Sequence, residues 1–125
     1  MAANGVLTLN ANVTGSPDGA RALGPFVITT AAAVTETLPV ALSIGANTIT
    51  VPSGTTCCLI LPPNAPSTTS TGSSTFAGSL TLKGVSGDTG SAISNKWPTL
   101  LSFDTAPSSI VVNSTATGTL TVWFM

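Results

Sequence analysis

Apolar and polar residues alternate with period two along most of the chain, and a helical period does not recur. Two segments show this most clearly, with apolar positions at Leu7, Leu9, Ala11 and Val13 in one and at Leu38, Val40, Leu42 and Ile44 in the other. Successive side chains of a β-strand point to opposite faces of its sheet. The alternation therefore predicts strands that each bury one face.

Further strands are predicted in segments 26–30, 48–51, 57–61, 80–83, 101–103, 110–112 and 120–124. Eight or nine short strands at this spacing favour an all-β chain, an antiparallel β-sandwich of jelly-roll-like form with about eight strands. We expect one domain over residues 1–125. Pro39 cannot donate to a ladder and indicates an edge strand or a bulge, whereas segment 57–61 is apolar on both sides and predicts a central strand covered on both faces.

Two segments read as loops. Segment 62–78 contains three prolines, and eight of the nine residues in 67–75 are Ser or Thr. We expect this Pro/Ser/Thr-rich loop to reach neighbouring subunits, which makes Pro62, Pro63 and Phe76 candidate interface residues. The second loop, segment 84–95, carries three glycines around Asp88.

Charge is scarce. Only seven residues are ionised, His is absent, and 22 Thr and 15 Ser supply most of the polarity, whereas a typical soluble domain is ~25% charged. This composition excludes nucleic-acid binding by phosphate neutralisation, which needs clustered Lys and Arg. The absence of His also excludes His-based catalysis and His-containing metal sites, and we expect no cofactor and no metal.

The net charge of −1 is below the magnitude of about 2–8 that keeps small domains dispersed. Interface cores are depleted of charge, so the composition favours a chain that packs against copies of itself or a partner. The alternative is a monomer solubilised by Ser, Thr and Asn. No window provides the ~20 apolar residues of a membrane-spanning helix, and the first residues lack the features of a secretory signal, so we expect no membrane association.

Cys57 and Cys58 are the two cysteines and are adjacent. On a strand they would face opposite sides, which disfavours a mutual disulfide. We interpret them as small buried thiols, with a redox role as the alternative.

One tripeptide matches a known catalytic motif. Asp88-Thr89-Gly90 matches the triplet of retroviral-type aspartic proteases, in which two carboxylates share a proton, but the surrounding elements of that family are missing. A Gly-Asp-Thr-Gly turn in which Asp88 caps its own backbone explains the same residues. The single carboxylate of this loop also falls short of a Ca²⁺ site.

The last predicted strand supplies a candidate interface. If Leu120, Val122 and Phe124 form its buried face, then Trp123 and Met125 point outward, and a large aromatic on a Thr-rich face is a candidate anchor. The alternative is that another part of the same domain covers it. Trp97 is either a loop anchor or a sugar-stacking surface.

The segments LTLKGVSGDTG (80–90) and PTLLSFD (98–104) resemble small virion structural proteins of tailed bacteriophages. The resemblance implies a non-enzymatic, β-rich accessory protein that is made in the bacterial cytoplasm and built into the virion. The first hypothesis is a capsid decoration (cement) protein, suspected to be a homotrimer, that stabilises the head shell by binding the major capsid protein. The second is a tail, neck or fibre-associated protein or adhesin that binds a host surface glycan. An enzyme is the third and has the least support in the residues.

Overall fold

The computed structural model describes residues 6–13, 21–29, 36–67 and 71–125, and in these residues it contains strands but no helix. Ten strands follow one another: β1 (Val6–Val13), β2 (Arg21–Thr29), β3 (Glu36–Leu42), β4 (Gly45–Thr50), β5 (Cys57–Leu61), β6 (Leu80–Lys83), β7 (Ser91–Ile93), β8 (Thr99–Ser102), β9 (Ser109–Ser114) and β10 (Gly118–Phe124). The first two pair with each other as a separate antiparallel ribbon.

The other eight strands form two four-stranded antiparallel sheets with the orders β3-β10-β5-β8 and β4-β9-β6-β7. Four of the pairings nest around the connection between β6 and β7: β6 with β7, β5 with β8, β4 with β9 and β3 with β10. The chain from β3 onward is thus one long two-stranded ribbon rolled into two sheets, which is the jelly-roll arrangement. The predicted all-β sandwich is confirmed.

The core lies between the two sheets, and both contribute to it. Every second residue of the central strands is almost completely buried, as the alternation requires. The buried cluster contains Leu42, Ile49, Val51, Cys58, Ile60, Phe76, Leu80, Ile110, Val112, Leu120, Val122 and Phe124. The predicted buried face of the last strand is therefore confirmed.

Two local predictions are wrong. Ile44 was expected on the buried face of β3, but its side chain is 71% exposed. The strand ends at Leu42, and the turn that follows is held by the Asn47 side chain, which accepts from the Ser43 amide and donates to the Ser43 carbonyl, both at 2.9 Å. The predicted loop 84–95 also contains β7, a three-residue strand paired with β6.

The positions of β3 and β5 within their sheet agree with the predictions from the sequence. β3, which carries Pro39, is an outer strand of its sheet, and β5 lies between β10 and β8. The prediction that β5 is covered on both faces holds in part, because Cys58 and Ile60 are buried in the core while Leu59 and Leu61 on the other face are only half-buried.

The 62–78 segment is a loop as expected, with residues 68–70 outside the described part, and a buried side chain ties its two ends together. Asn64 is 3% exposed; its Oδ1 accepts from the Phe76 amide at 3.0 Å and its Nδ2 donates to the Phe76 carbonyl at 2.8 Å. The pair of bonds seats the Phe76 ring in the core. The ring lies so close to Gly118 that a β-carbon there would stand 2.9 Å from it.

We predict that Asn64→Ala lowers the free energy of unfolding by about 2–3 kcal/mol, because it leaves the buried amide and carbonyl of Phe76 without partners. Ser73→Ala is the matched control, since the Ser73 hydroxyl bonds to Thr75 in an exposed part of the same loop. Urea denaturation of both variants measures the difference. Equal stability of the two would contradict the anchoring role of Asn64.

Candidate interaction surfaces

The outer face of the β3-β10-β5-β8 sheet carries a row of large apolar side chains. The registers place Trp123 of β10 opposite Leu59 of β5, and Leu59 opposite Leu100 of β8. Directly opposite residues in antiparallel strands lie within contact distance on one face. The row therefore crosses three adjacent strands, and we call it the Trp123 row.

The Trp123 row is accessible. The Trp123 side chain is 44% exposed, and Leu59 and Leu100 are half-buried. The next positions along the same face are Thr121, Leu61 and the exposed Pro39. No described side chain of this face is charged, so a partner could cover it without desolvating an ion.

The other sheet presents a different outer face. Its register aligns Thr48 with Val111 and Val111 with Lys83, and also Thr81 with Asn113. Apart from the buried Val111, these are hydroxyl, amide or charged side chains, as expected for a face in contact with water. Of the two sheets, the one that carries Trp123 thus has large apolar side chains on both faces, although its outer face also carries Thr121 and Ser102.

Met125 and Cys57 lie at one end of the apolar face, where they exchange backbone hydrogen bonds of 2.9 Å. Met125 was expected to point outward as Trp123 does, but it is 6% exposed, and Cys57 is fully buried. Met125 therefore contributes little accessible surface, and its role as an interface residue stays a prediction.

The two thiols are free and face opposite sides of β5, as expected. Cys58 lies in the core, and burial, followed by the neighbouring Cys57, raises the pKa of its thiol to about 11. Burial also raises the pKa of Cys57. A thiol is reactive as the thiolate, so both groups are protonated and unreactive near neutral pH.

The Asp88 segment forms a turn. The Asp88 Oδ2 accepts from the Val85 amide at 3.0 Å, and the Asp88 amide donates to the Val85 carbonyl at 3.1 Å. A carboxylate cap by Asp88 is therefore confirmed, but the hydrogen-bonded turn spans residues 85–88 and not the predicted 87–90. Gly90 follows it with φ +75°, at a place where a β-carbon would stand 2.5 Å from the Leu82 carbonyl oxygen.

Beside this turn, a groove of about 890 Å³ opens between the two sheets. Its walls are mostly apolar and include Leu82, Leu101, Phe103 and Ile110, with Lys83 and Asp88 among the charged lining residues. Because β7 is only three residues long, the sheet ends early here and leaves the edge of the core open. The volume is in the range of small-molecule sites.

Trp97 projects from the loop before β8 and is 59% exposed. The Ser94 hydroxyl accepts from its amide at 2.8 Å, and the Lys96 ammonium lies 5.4 Å from the ring centroid, a cation–π distance. By contrast, Phe76 and Pro62 are buried and Pro63 is half-buried. Of the six candidate interface residues, Trp123 and Trp97 are the exposed ones; the interface role of all six stays a prediction.

Leu59 and Leu100 were missed as candidate interface residues. Segment 57–61 is apolar on both sides and predicts a doubly covered strand, yet its outer residues Leu59 and Leu61 are half-buried and form part of an accessible face. The neighbouring strands and loops decide whether such a pattern leads to burial or to an accessible apolar face, and strand order does not follow from the alternation.

Comparison with protein-family models, with curated proteins and with solved structures finds no match for this chain. Within the described residues, no three His, Cys, Asp or Glu side chains are grouped as metal ligands. The same residues include no helix with the length and apolar character required to cross a membrane.

We predict that stability falls as the pH rises from about 9 through about 11, because the thiol of Cys58 ionises near 9.0 in the unfolded chain and near 11 in the folded one. Between these two pH values the Cys58 thiol is ionised in the unfolded chain but protonated in the folded one. This difference lowers the free energy of unfolding by up to about 2–3 kcal/mol. Denaturation at pH 8, 9, 10 and 11 should show a shallower fall for Cys58→Ala than for the unchanged chain. A Cys58→Ala profile parallel to that of the unchanged chain would contradict the prediction.

We also predict that Gly90→Ala destabilises the fold by more than about 1 kcal/mol, since the left-handed backbone and the nearby Leu82 carbonyl both oppose a β-carbon. Gly87→Ala in the same turn is the control, because a β-carbon at Gly87 meets no atom within 4 Å. Thermal unfolding of the two variants tests the difference. A Gly90 variant as stable as the Gly87 variant would show that the turn adjusts freely.

Proposed function

We propose that the chain is a non-enzymatic structural protein of a bacteriophage virion, and that it decorates the head shell by binding the major capsid protein through the Trp123 row. The observation that carries this proposal is the accessible row of Trp123, Leu59 and Leu100 on an outer sheet face whose described residues bear no charge. The resemblance of segments 80–90 and 98–104 to virion proteins is the reason why the proposed partner is a capsid protein.

The fold supports the same proposal by analogy. Jelly rolls are common in viral capsid and lectin domains, but a fold by itself does not define a function. The site argument is therefore the stronger one. A few large aromatic side chains dominate the binding energy of many interfaces, and we assign that role to Trp123, whose neighbours on the same face include Thr121 and Leu61.

Shell stabilisation would follow from binding linkage. A protein that binds only the assembled shell stabilises that state by mass action, and the effect is repeated at every lattice site. Because the proposed contact is apolar, it should persist at high salt, where exposed ion pairs are screened.

We predict that the purified chain binds shells that lack it and raises the temperature at which they disrupt. Trp123→Ser should weaken binding at least about 30-fold, the loss expected at an interface hot spot. Trp97→Ser is the matched control, because it removes an equally large exposed ring from a loop on the same chain and should leave binding unchanged. Co-sedimentation and differential scanning calorimetry of the shells measure the two effects.

A chain that neither binds shells nor changes their disruption temperature would overturn the proposal. The exposed Trp97 favours the second candidate, an adhesin of the tail, neck or fibre that stacks a sugar on the ring face away from Lys96. Glycan-array binding that Trp97→Ser abolishes and Trp123→Ser leaves intact, without shell binding, would support the adhesin instead.

A further inference from the structure

We draw no further inference here: the strongest candidate, the mostly apolar groove between the two sheets beside the Asp88 turn, carries none because its lining combines one basic with one acidic residue, Lys83 and Asp88, and nothing in the structure shows what covers it.

Discussion

The structure depends on the burial of one apolar face of each sheet against the other, which the period-two alternation makes possible. In β10 the core positions Leu120, Val122 and Phe124 are fully buried, and the intervening positions are forced outward. On the β4-β9-β6-β7 sheet these outward positions are mostly hydroxyl and amide groups. On the other sheet they include Trp123, Leu59 and Leu100. The same alternation that builds the core thus leaves a second apolar face with nothing described over it, and that face is the basis of the proposed docking surface.

Scarcity of charge has a structural consequence as well as a functional one. Amide side chains hold two segments that charged side chains often hold in other proteins: Asn47 bonds across the turn between β3 and β4, and Asn64 bonds to the backbone of Phe76. A neutral amide both donates and accepts, so it can satisfy an amide and a carbonyl together without an ionic desolvation penalty. The fold can therefore be well determined while its surface carries few ions, which leaves large areas that a partner can cover at low cost.

The alternation predicted the sandwich and most of its strands because successive side chains of any strand point to opposite faces, so that a strand with one buried face shows a period of two in its sequence. It failed where hydrogen bonds, and not the apolar periodicity, decide the local structure. Ile44 continues the apolar series of β3, yet the chain leaves the strand after Leu42, in a turn that the Asn47 side chain holds. β7 has only one large apolar residue, Ile93, so this strand is defined by its hydrogen bonds to β6 and not by a sequence pattern. The alternation could not predict the strand order or the Trp123 row either, because residues 59, 100 and 123 are brought together by pairings between strands that are distant in sequence.

The two edges of the sheet that carries the Trp123 row are protected by different means. Met125 exchanges hydrogen bonds with Cys57, so the alternation along β10 directs Thr121 toward β5 and leaves the nitrogen of its partner Pro39 on the open side of β3, where proline removes a donor. β8 has only four residues, and so short an edge strand offers few unpaired backbone groups to another strand. Neither edge therefore favours strand addition, and the face that carries Trp123 is the surface on which the proposed contact depends.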